Sequence, residues 1–124
     1  MNEKETAVEK RRHKRYKAPL SSYIALMNEV TEVGQIINIS KSGIAFSYID
    51  KGLQITGWHK MNIFLGGNRF FIREIPFKAI SNLYLDTEYI FSSVIMKQCG
   101  GQFGELTPNQ RSQLCYFIAN YTTS

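Results

Sequence analysis

The sequence has few of the residues from which metal sites and disulfide frameworks are built. Its 124 residues include only two histidines, His13 and His59, and two cysteines, Cys99 and Cys115. Two cysteines do not make a disulfide framework, so we expect free or buried thiols. The four residues are also too scattered to show the spacing of a zinc site, so the sequence predicts no metal centre.

Long apolar runs are missing as well. No stretch approaches the roughly 20 apolar residues that cross a membrane. The charged N-terminus is not followed by the apolar segment of a signal peptide. We therefore expect a cytoplasmic protein without membrane insertion. No serine or cysteine lies in a recognisable nucleophile motif, and the acidic residues are scattered, so the sequence predicts neither an enzyme nor a cofactor.

The length and composition are those of one small globular domain. Hydrophobic residues make up 44% of the chain, which is enough for a modest core. The formal net charge of +5 is unevenly distributed. Residues 1–18 hold seven Lys or Arg against three Glu, whereas the remainder holds eight against seven. Any attraction for anions is therefore concentrated in an N-terminal arm.

The arm contains a dense basic run. Residues 10–17 include six basic residues and no acidic one. Arg11 and Arg15 are separated by three residues, and a guanidinium is a planar fork of donors that suits phosphate oxygens or the O6/N7 edge of guanine. Arg12 can add a further phosphate contact. The alternative is a solvated basic tail that contacts nothing in particular.

A second candidate stretch spans residues 38–43. Asn38 offers a carbonyl acceptor and an amide donor that can pair with a guanine edge, and Ser40 offers a hydroxyl to a phosphate or a base. Gly43 allows a close backbone approach or a left-handed conformation. The alternative is a hairpin in which Asn38 and Ser40 only satisfy the backbone of the turn.

Arg11 and Arg15 form an R-x-x-x-R motif, and Asn38, Ser40 and Gly43 form a [D/N]-x-S-x-x-G motif that follows it. Together they resemble the signature of the PilZ domain family, bacterial receptors for the second messenger cyclic di-GMP (c-di-GMP). The resemblance covers nearly the whole chain. It implies a six-stranded barrel with a C-terminal helix, and a c-di-GMP site made by Arg11, Arg12, Arg15, Asn38, Ser40 and Gly43.

The residues after 21 follow the pattern of short strands. Polar breaks and glycines separate the predicted strands at 23–27, 33–39, 44–48, 61–65, 70–80, 89–96 and 102–105. Gly66-Gly67-Asn68 predicts a hairpin turn. Gly100-Gly101 is predicted to divide the last two strands.

The end of the chain changes to a helical period. Thr107, Pro108 and Gln110 predict a helix start with a capping box. Apolar residues then recur on one helical face, at Leu114, Phe117, Ile118 and Tyr121. The sequence thus predicts a mainly β fold. It comprises a flexible basic arm at residues 1–18 and a small antiparallel β-barrel domain at 19–124, with its C-terminal α-helix at about 107–121.

The resemblance implies a receptor that folds its arm over the barrel when c-di-GMP binds and then signals to an unidentified effector protein. Members of the family carry either Asp or Asn at this position, and Asn38 would accept hydrogen bonds less strongly than Asp, which implies a weaker contact with the base. The basic Lys10 favours two stacked ligand molecules over one. We expect a monomer or weak dimer. The alternatives are an adaptor of the same fold that binds no ligand and, less favoured, a nucleic-acid-binding barrel, for which the body carries too little positive charge.

Overall fold

The computed structural model describes residues 13–27, 31–52, 54–85 and 95–124. Within these residues the chain forms seven strands, a short 3-10 turn and one helix, in the order β1 (Tyr16–Lys17), β2 (Ser22–Met27), β3 (Glu32–Ile39), β4 (Gly43–Ile49), β5 (Gly57–Leu65), the turn (Gly66–Asn68), β6 (Phe70–Tyr84), β7 (Met96–Phe103) and α1 (Pro108–Tyr121).

Six of the strands close into an antiparallel barrel. Their order around it is β2-β5-β6-β7-β4-β3, and β3 pairs again with β2. Strand β1 lies outside the barrel and pairs with the end of β3. The predicted six-stranded antiparallel barrel with a C-terminal helix is therefore confirmed, with one extra short strand that the sequence pattern did not show.

The barrel is filled by the inward-facing side chains of its strands, and one end is closed by α1. Because side chains alternate across a strand, the buried apolar residues recur at every second position, as in Ile44, Phe46 and Tyr48 of β4. Leu114 and Phe117 of α1 join this core, and Ile118 and Tyr121 pack against it. We call the end covered by α1 the plugged end and the opposite one the far end.

The start of α1 confirms the predicted capping box. The Thr107 hydroxyl accepts from the Gln110 amide at 3.1 Å, and the Gln110 side chain accepts from the Thr107 amide at 3.0 Å. Pro108 occupies the first turn, where its missing N–H costs nothing. The Gln110 side chain also donates to the Arg73 and Glu74 carbonyls, which ties the helix start to β6.

Of the two glycine pairs predicted to interrupt strands, one makes a turn and the other does not. Gly66-Gly67 makes the predicted turn between β5 and β6, with Gly67 at φ 77°. The predicted break at Gly100-Gly101 is wrong, because β7 runs through both residues. A Cβ on Gly101 would lie 2.1 Å from the Lys78 carbonyl oxygen. The glycine therefore lets β6 and β7 approach closely rather than ending a strand.

Some predictions lie outside the described residues. The strand predicted at 89–96 falls there except for residues 95 and 96. The flexibility of residues 1–18 stays a prediction, although Tyr16 and Lys17 within that range form β1. In the described part of the chain, no helix is long and apolar enough to cross a membrane.

Candidate ligand-binding site

The structure brings the two predicted motifs together through Arg15 and Asn38. Strand β1 runs antiparallel to the end of β3, with Tyr16 opposite Ile39 and Lys17 opposite Asn38. Arg15 comes two residues before Lys17 and so lies on the same face as Asn38, and its Nη1 donates to Asn38 Oδ1 at 3.0 Å. Both side chains are half-buried. Since Asn38 is neutral, this hydrogen bond orients the guanidinium without cancelling its charge.

The segment that follows Arg15 is held on both sides. On one side β1 pairs with β3. On the other, Lys17 N donates to Thr123 O at 2.7 Å and Thr123 N donates to Lys17 O at 3.0 Å. The C-terminal residues therefore fix the position at which the arm meets the barrel, a contact between chain ends that no local sequence signal indicates.

Ser40 and Gly43 shape the turn beside Asn38. The buried Ser40 hydroxyl accepts from the amides of Ser42 and Gly43, both at 3.1 Å. This is the turn-satisfying role that was the alternative to ligand contact for Ser40. Gly43 does not have a positive φ. It allows the close approach instead, because a Cβ there would lie 2.4 Å from the Gly101 carbonyl oxygen.

A lane of small residues leads away from Asn38 across the outside of the barrel. The register aligns Asn38 of β3 with Ala45 of β4, Gly100 of β7 and Ser81 of β6. We call these last three residues the lane. Two strand spacings make it about 10 Å long, and Ala45 and Gly100 are both buried.

Polar groups flank the lane on both sides. In β7, Gln98 and Gln102 alternate with Gly100 on the outer face, and Ser47 of β4 lies opposite Gln98. Amides and hydroxyls are the groups that read base edges. Gln98, Gln102 and Ser47 are therefore the groups of this region that a base edge could contact. No sequence signal indicates the lane, because only the register brings its residues, from three strands, into line.

A cavity of about 490 Å³ adjoins the arm at the plugged end of the barrel. It is lined by Tyr16 of β1, Lys41 of the turn after β3, and residues of α1 including Cys115 and Ile118. Cys115 is an exposed free thiol. The other cysteine, Cys99, lies in the core, and burial raises its pKa to about 11. Cys99 is therefore a protonated core residue at neutral pH and takes no part in the site.

Two of the predicted site residues, Arg11 and Arg12, lie outside the described residues, so their contribution stays a prediction. Of the six, the structure places Arg15, Asn38, Ser40 and Gly43. Over the ranges that it describes, no three His, Cys, Asp or Glu side chains come together as metal ligands would.

Solved structures match this architecture over most of the chain. The PilZ domain of YcgR from Escherichia coli, solved with c-di-GMP, matches with a TM-score of 0.71 at 16% identity, over 90% of each chain. The chain has the fold of a PilZ domain. No protein-family model and no curated protein sequence matches it.

Two longer proteins share the PilZ fold with this chain. YcgR from Escherichia coli in complex with c-di-GMP matches with a TM-score of 0.63 at 18% identity. The Bacillus subtilis inhibitor of motility, MotI/DgrA, matches with a TM-score of 0.57 at 20% identity. Each match covers 88% of this chain, but only 44% and 49% of the longer proteins. The chain thus spans less than half the length of either.

Proposed function

We propose that this chain is a cytoplasmic c-di-GMP receptor without catalytic activity, which closes its basic arm over the ligand and signals to a protein partner. The observation that carries the proposal is the hydrogen bond between Arg15 Nη1 and Asn38 Oδ1. It joins the two separate motifs at one place on the barrel, and that place adjoins the lane.

The chemistry of c-di-GMP fits the groups that meet there. The ligand is a dianion with two flat guanines, so it needs cations, a planar surface and hydrogen bonds to base edges. Arg15 supplies a permanently charged donor, and Arg11 and Arg12 lie close enough in sequence to add others. Gln98, Gln102 and Ser47 beside the lane supply polar groups for base edges. With Asn38 Oδ1 engaged by Arg15, the Asn38 amide N–H groups are the donors that would face a guanine acceptor.

The related structures support the same proposal. The PilZ domain of YcgR was solved with c-di-GMP bound, and MotI/DgrA is described as an inhibitor of motility. We infer that the receptor signals by contact with another molecule. The event that a partner would detect is the new position of residues 10–15, because ordering of a segment is a common switch in signalling proteins.

Isothermal titration calorimetry with four ligands tests the proposal. We expect binding heat from c-di-GMP and none from cyclic di-AMP, GTP or a single-stranded oligothymidylate under the same conditions. Cyclic di-AMP is the matched control, because it keeps the two phosphates and changes only the bases. The stoichiometry also tells whether one or two ligand molecules occupy the site.

The other outcomes distinguish the rival functions. If cyclic di-AMP gave the same binding heat as c-di-GMP, the site would recognise the two phosphates and not the guanine bases. Heat from the oligonucleotide that fades steeply with salt would identify a nucleic-acid-binding barrel. Silence from all four ligands would leave an adaptor that works by protein contact alone.

A further inference from the structure

Three aromatic side chains stand in a row on the outside of the barrel. The register places Tyr23 of β2 opposite Phe64 of β5, and Phe64 opposite Phe71 of β6. Each is next to a core isoleucine in its strand, so each points away from the core. Neighbouring ring centroids are 5.7 Å and 6.1 Å apart. Phe71 is 45% exposed and the other two are half-buried. We call these three residues the aromatic ladder.

Two arginines flank the aromatic ladder. The guanidinium of Arg73 lies over the Phe71 ring, 5.5 Å from its centroid. At the other end, Arg69 donates to the Gly66 carbonyl oxygen at 3.1 Å. Gly66 adjoins Tyr23, since a Cβ on it would lie 3.9 Å from Tyr23 Cε2. In the parts of the chain that the structure describes, neither arginine forms an ion pair, so no carboxylate cancels their charges.

A cavity of about 370 Å³ lies between the aromatic ladder and the start of α1. It is lined by Phe71, Arg73, Asn109, Gln110 and Gln113. These five residues include a guanidinium and three amides but no carboxylate. Gln110 and Gln113 donate to carbonyl oxygens of β6, which holds the helix beside the cavity. A carboxylate that enters the cavity could therefore bind Arg73 next to an aromatic surface.

The described charges around the aromatic ladder are mostly positive. Residues 18–27, 57–78 and 104–121, all of which are described, contain five basic residues and two acidic ones: Lys60, Arg69, Arg73, Lys78 and Arg111 against Glu74 and Glu105. Residues 28–30, 53 and 86–94 lie outside the described residues and belong to connections at the far end. Residues 1–12 hold four basic and three acidic residues, so they do not reverse this balance. The surface complements an acidic partner.

We propose that the aromatic ladder and the adjoining cavity are a docking surface for an acidic amphipathic segment of a partner protein. The apolar side chains of that segment would cover the ladder, and one of its carboxylates would bind Arg73 in the cavity. Aromatic side chains and arginine are the residues most enriched at such interfaces. The inference rests on the proposed function only in that a receptor needs a partner, since Arg15 and Asn38 lie beside other strands.

A single-stranded nucleic acid fits this surface less well. Bases stack on exposed faces of aromatic rings. Phe64 has a ring on either side, and the guanidinium of Arg73 lies over Phe71. The faces of these two rings are thus engaged within the ladder, which favours the apolar side chains of a peptide over bases.

A synthetic amphipathic peptide of leucine and glutamate serves as the probe, and the same peptide with lysine in place of glutamate is its control. We expect saturable binding of the glutamate peptide by the full chain, with NMR amide shifts centred on Tyr23, Phe64 and Phe71. The lysine peptide should not bind. Phe71→Ser should weaken binding at least about tenfold, as loss of a central aromatic contact does. Leu83→Ser is its matched control, because Leu83 is an exposed apolar residue of the same strand at the far end.

The charge requirement is tested separately. Arg73→Gln should weaken binding of the glutamate peptide about fivefold or more, as loss of a charge-assisted hydrogen bond does. Arg73→Lys should keep most of the affinity, because it keeps the charge. Arg111→Gln is the control for net charge, since Arg111 is exposed on α1 and does not line the cavity. It should change the affinity less than about twofold, because salt screens distant surface charges.

Several results would overturn the docking surface. One is equal affinity for the two peptides, and another is equal affinity in Phe71→Ser and Leu83→Ser. Shifts centred on residues 10–17 would show that the basic arm attracts the peptide instead. An oligothymidylate that shifted the amides of the ladder, or self-association that Phe71→Ser abolished, would give the surface a different occupant.

Ligand binding in the same samples separates this inference from the proposed function. Phe71→Ser and Arg73→Gln should bind c-di-GMP as the unmodified chain does, and Arg15→Ala should keep its peptide affinity. Peptide binding without any c-di-GMP binding would refute the receptor function and leave the docking surface standing. The reverse pattern would refute the docking surface alone.

Discussion

Arg15→Ala is expected to weaken c-di-GMP binding more than 100-fold, from the micromolar range to the limit of calorimetric detection. A micromolar ligand is held by about 8 kcal/mol. Arg15 can donate two charge-assisted hydrogen bonds of about 1.5–3 kcal/mol each, so its loss removes about 3 kcal/mol or more. The variant also frees Asn38 from the hydrogen bond that orients it.

The effect of Arg15→Ala on binding is large because ordering the rest of the arm costs free energy, which leaves only a small net gain from its contacts. Fixing each residue costs about 1–2 kcal/mol, which offsets much of what the arm contacts contribute. Strand β1 is already paired with β3, so the cost falls on the residues before it. Without Arg15, the hydrogen bond that joins the arm to Asn38 is lost, so the closure loses its starting contact.

Arg111→Ala is the matched control, since Arg111 is exposed in the first turns of α1 and away from the lane. It should bind c-di-GMP as the unmodified chain does. Arg15→Ala should melt within a few degrees of it, because a half-buried hydrogen bond contributes only about 1 kcal/mol. Unchanged affinity in Arg15→Ala would contradict the site; a collapse of its melting temperature would show that Arg15 is structural.

The second large effect concerns the plug of the barrel. Phe117→Ala is expected to lower the free energy of unfolding by about 3–5 kcal/mol, as removal of a fully buried aromatic side chain does. Phe117 is 0% exposed and its ring contacts Phe70 and Tyr121, at centroid distances of 5.4 and 5.8 Å. A small domain has only about 5–15 kcal/mol in total, so the variant should be near its limit of stability.

Urea unfolding followed by circular dichroism measures this loss. Tyr116→Ala is the control, because Tyr116 precedes Phe117 on the same helix but is 54% exposed. It should cost about 1 kcal/mol or less, although its ring stacks on Phe70 at 6.1 Å. If the two variants lost the same free energy, α1 would not be part of the core.

Local signals in the sequence predicted much of this fold. The capping box at Thr107 and Gln110 depends on residues three apart, and the turn at Gly66-Gly67 depends on neighbouring residues, so both can be identified without tertiary information. The two motifs were identifiable in the same way, and Arg15 and Asn38 meet although 23 residues separate them.

Other features depend on strand register, which a sequence does not state. A pair of glycines such as Gly100-Gly101 usually marks the end of a strand. Here both residues belong to β7, because a side chain on Gly101 would collide with the neighbouring strand. The lane and the pairing of Lys17 with Thr123 likewise exist only once strands are placed side by side. From the sequence, Ser40 could either contact a ligand or satisfy the backbone of the turn. Its hydrogen bonds from the Ser42 and Gly43 amides show the second role.

The most direct measurement of the central claim is the NMR spectrum of the arm at saturating c-di-GMP. We expect large shifts for the amides of residues 10–17 and new, slowly exchanging arginine side-chain signals. The amides of Val33 and Leu83 at the far end should stay in place. If the resonances of residues 10–17 were the same in the free and saturated protein, the arm would not be closing over the ligand and the proposed mechanism would be wrong.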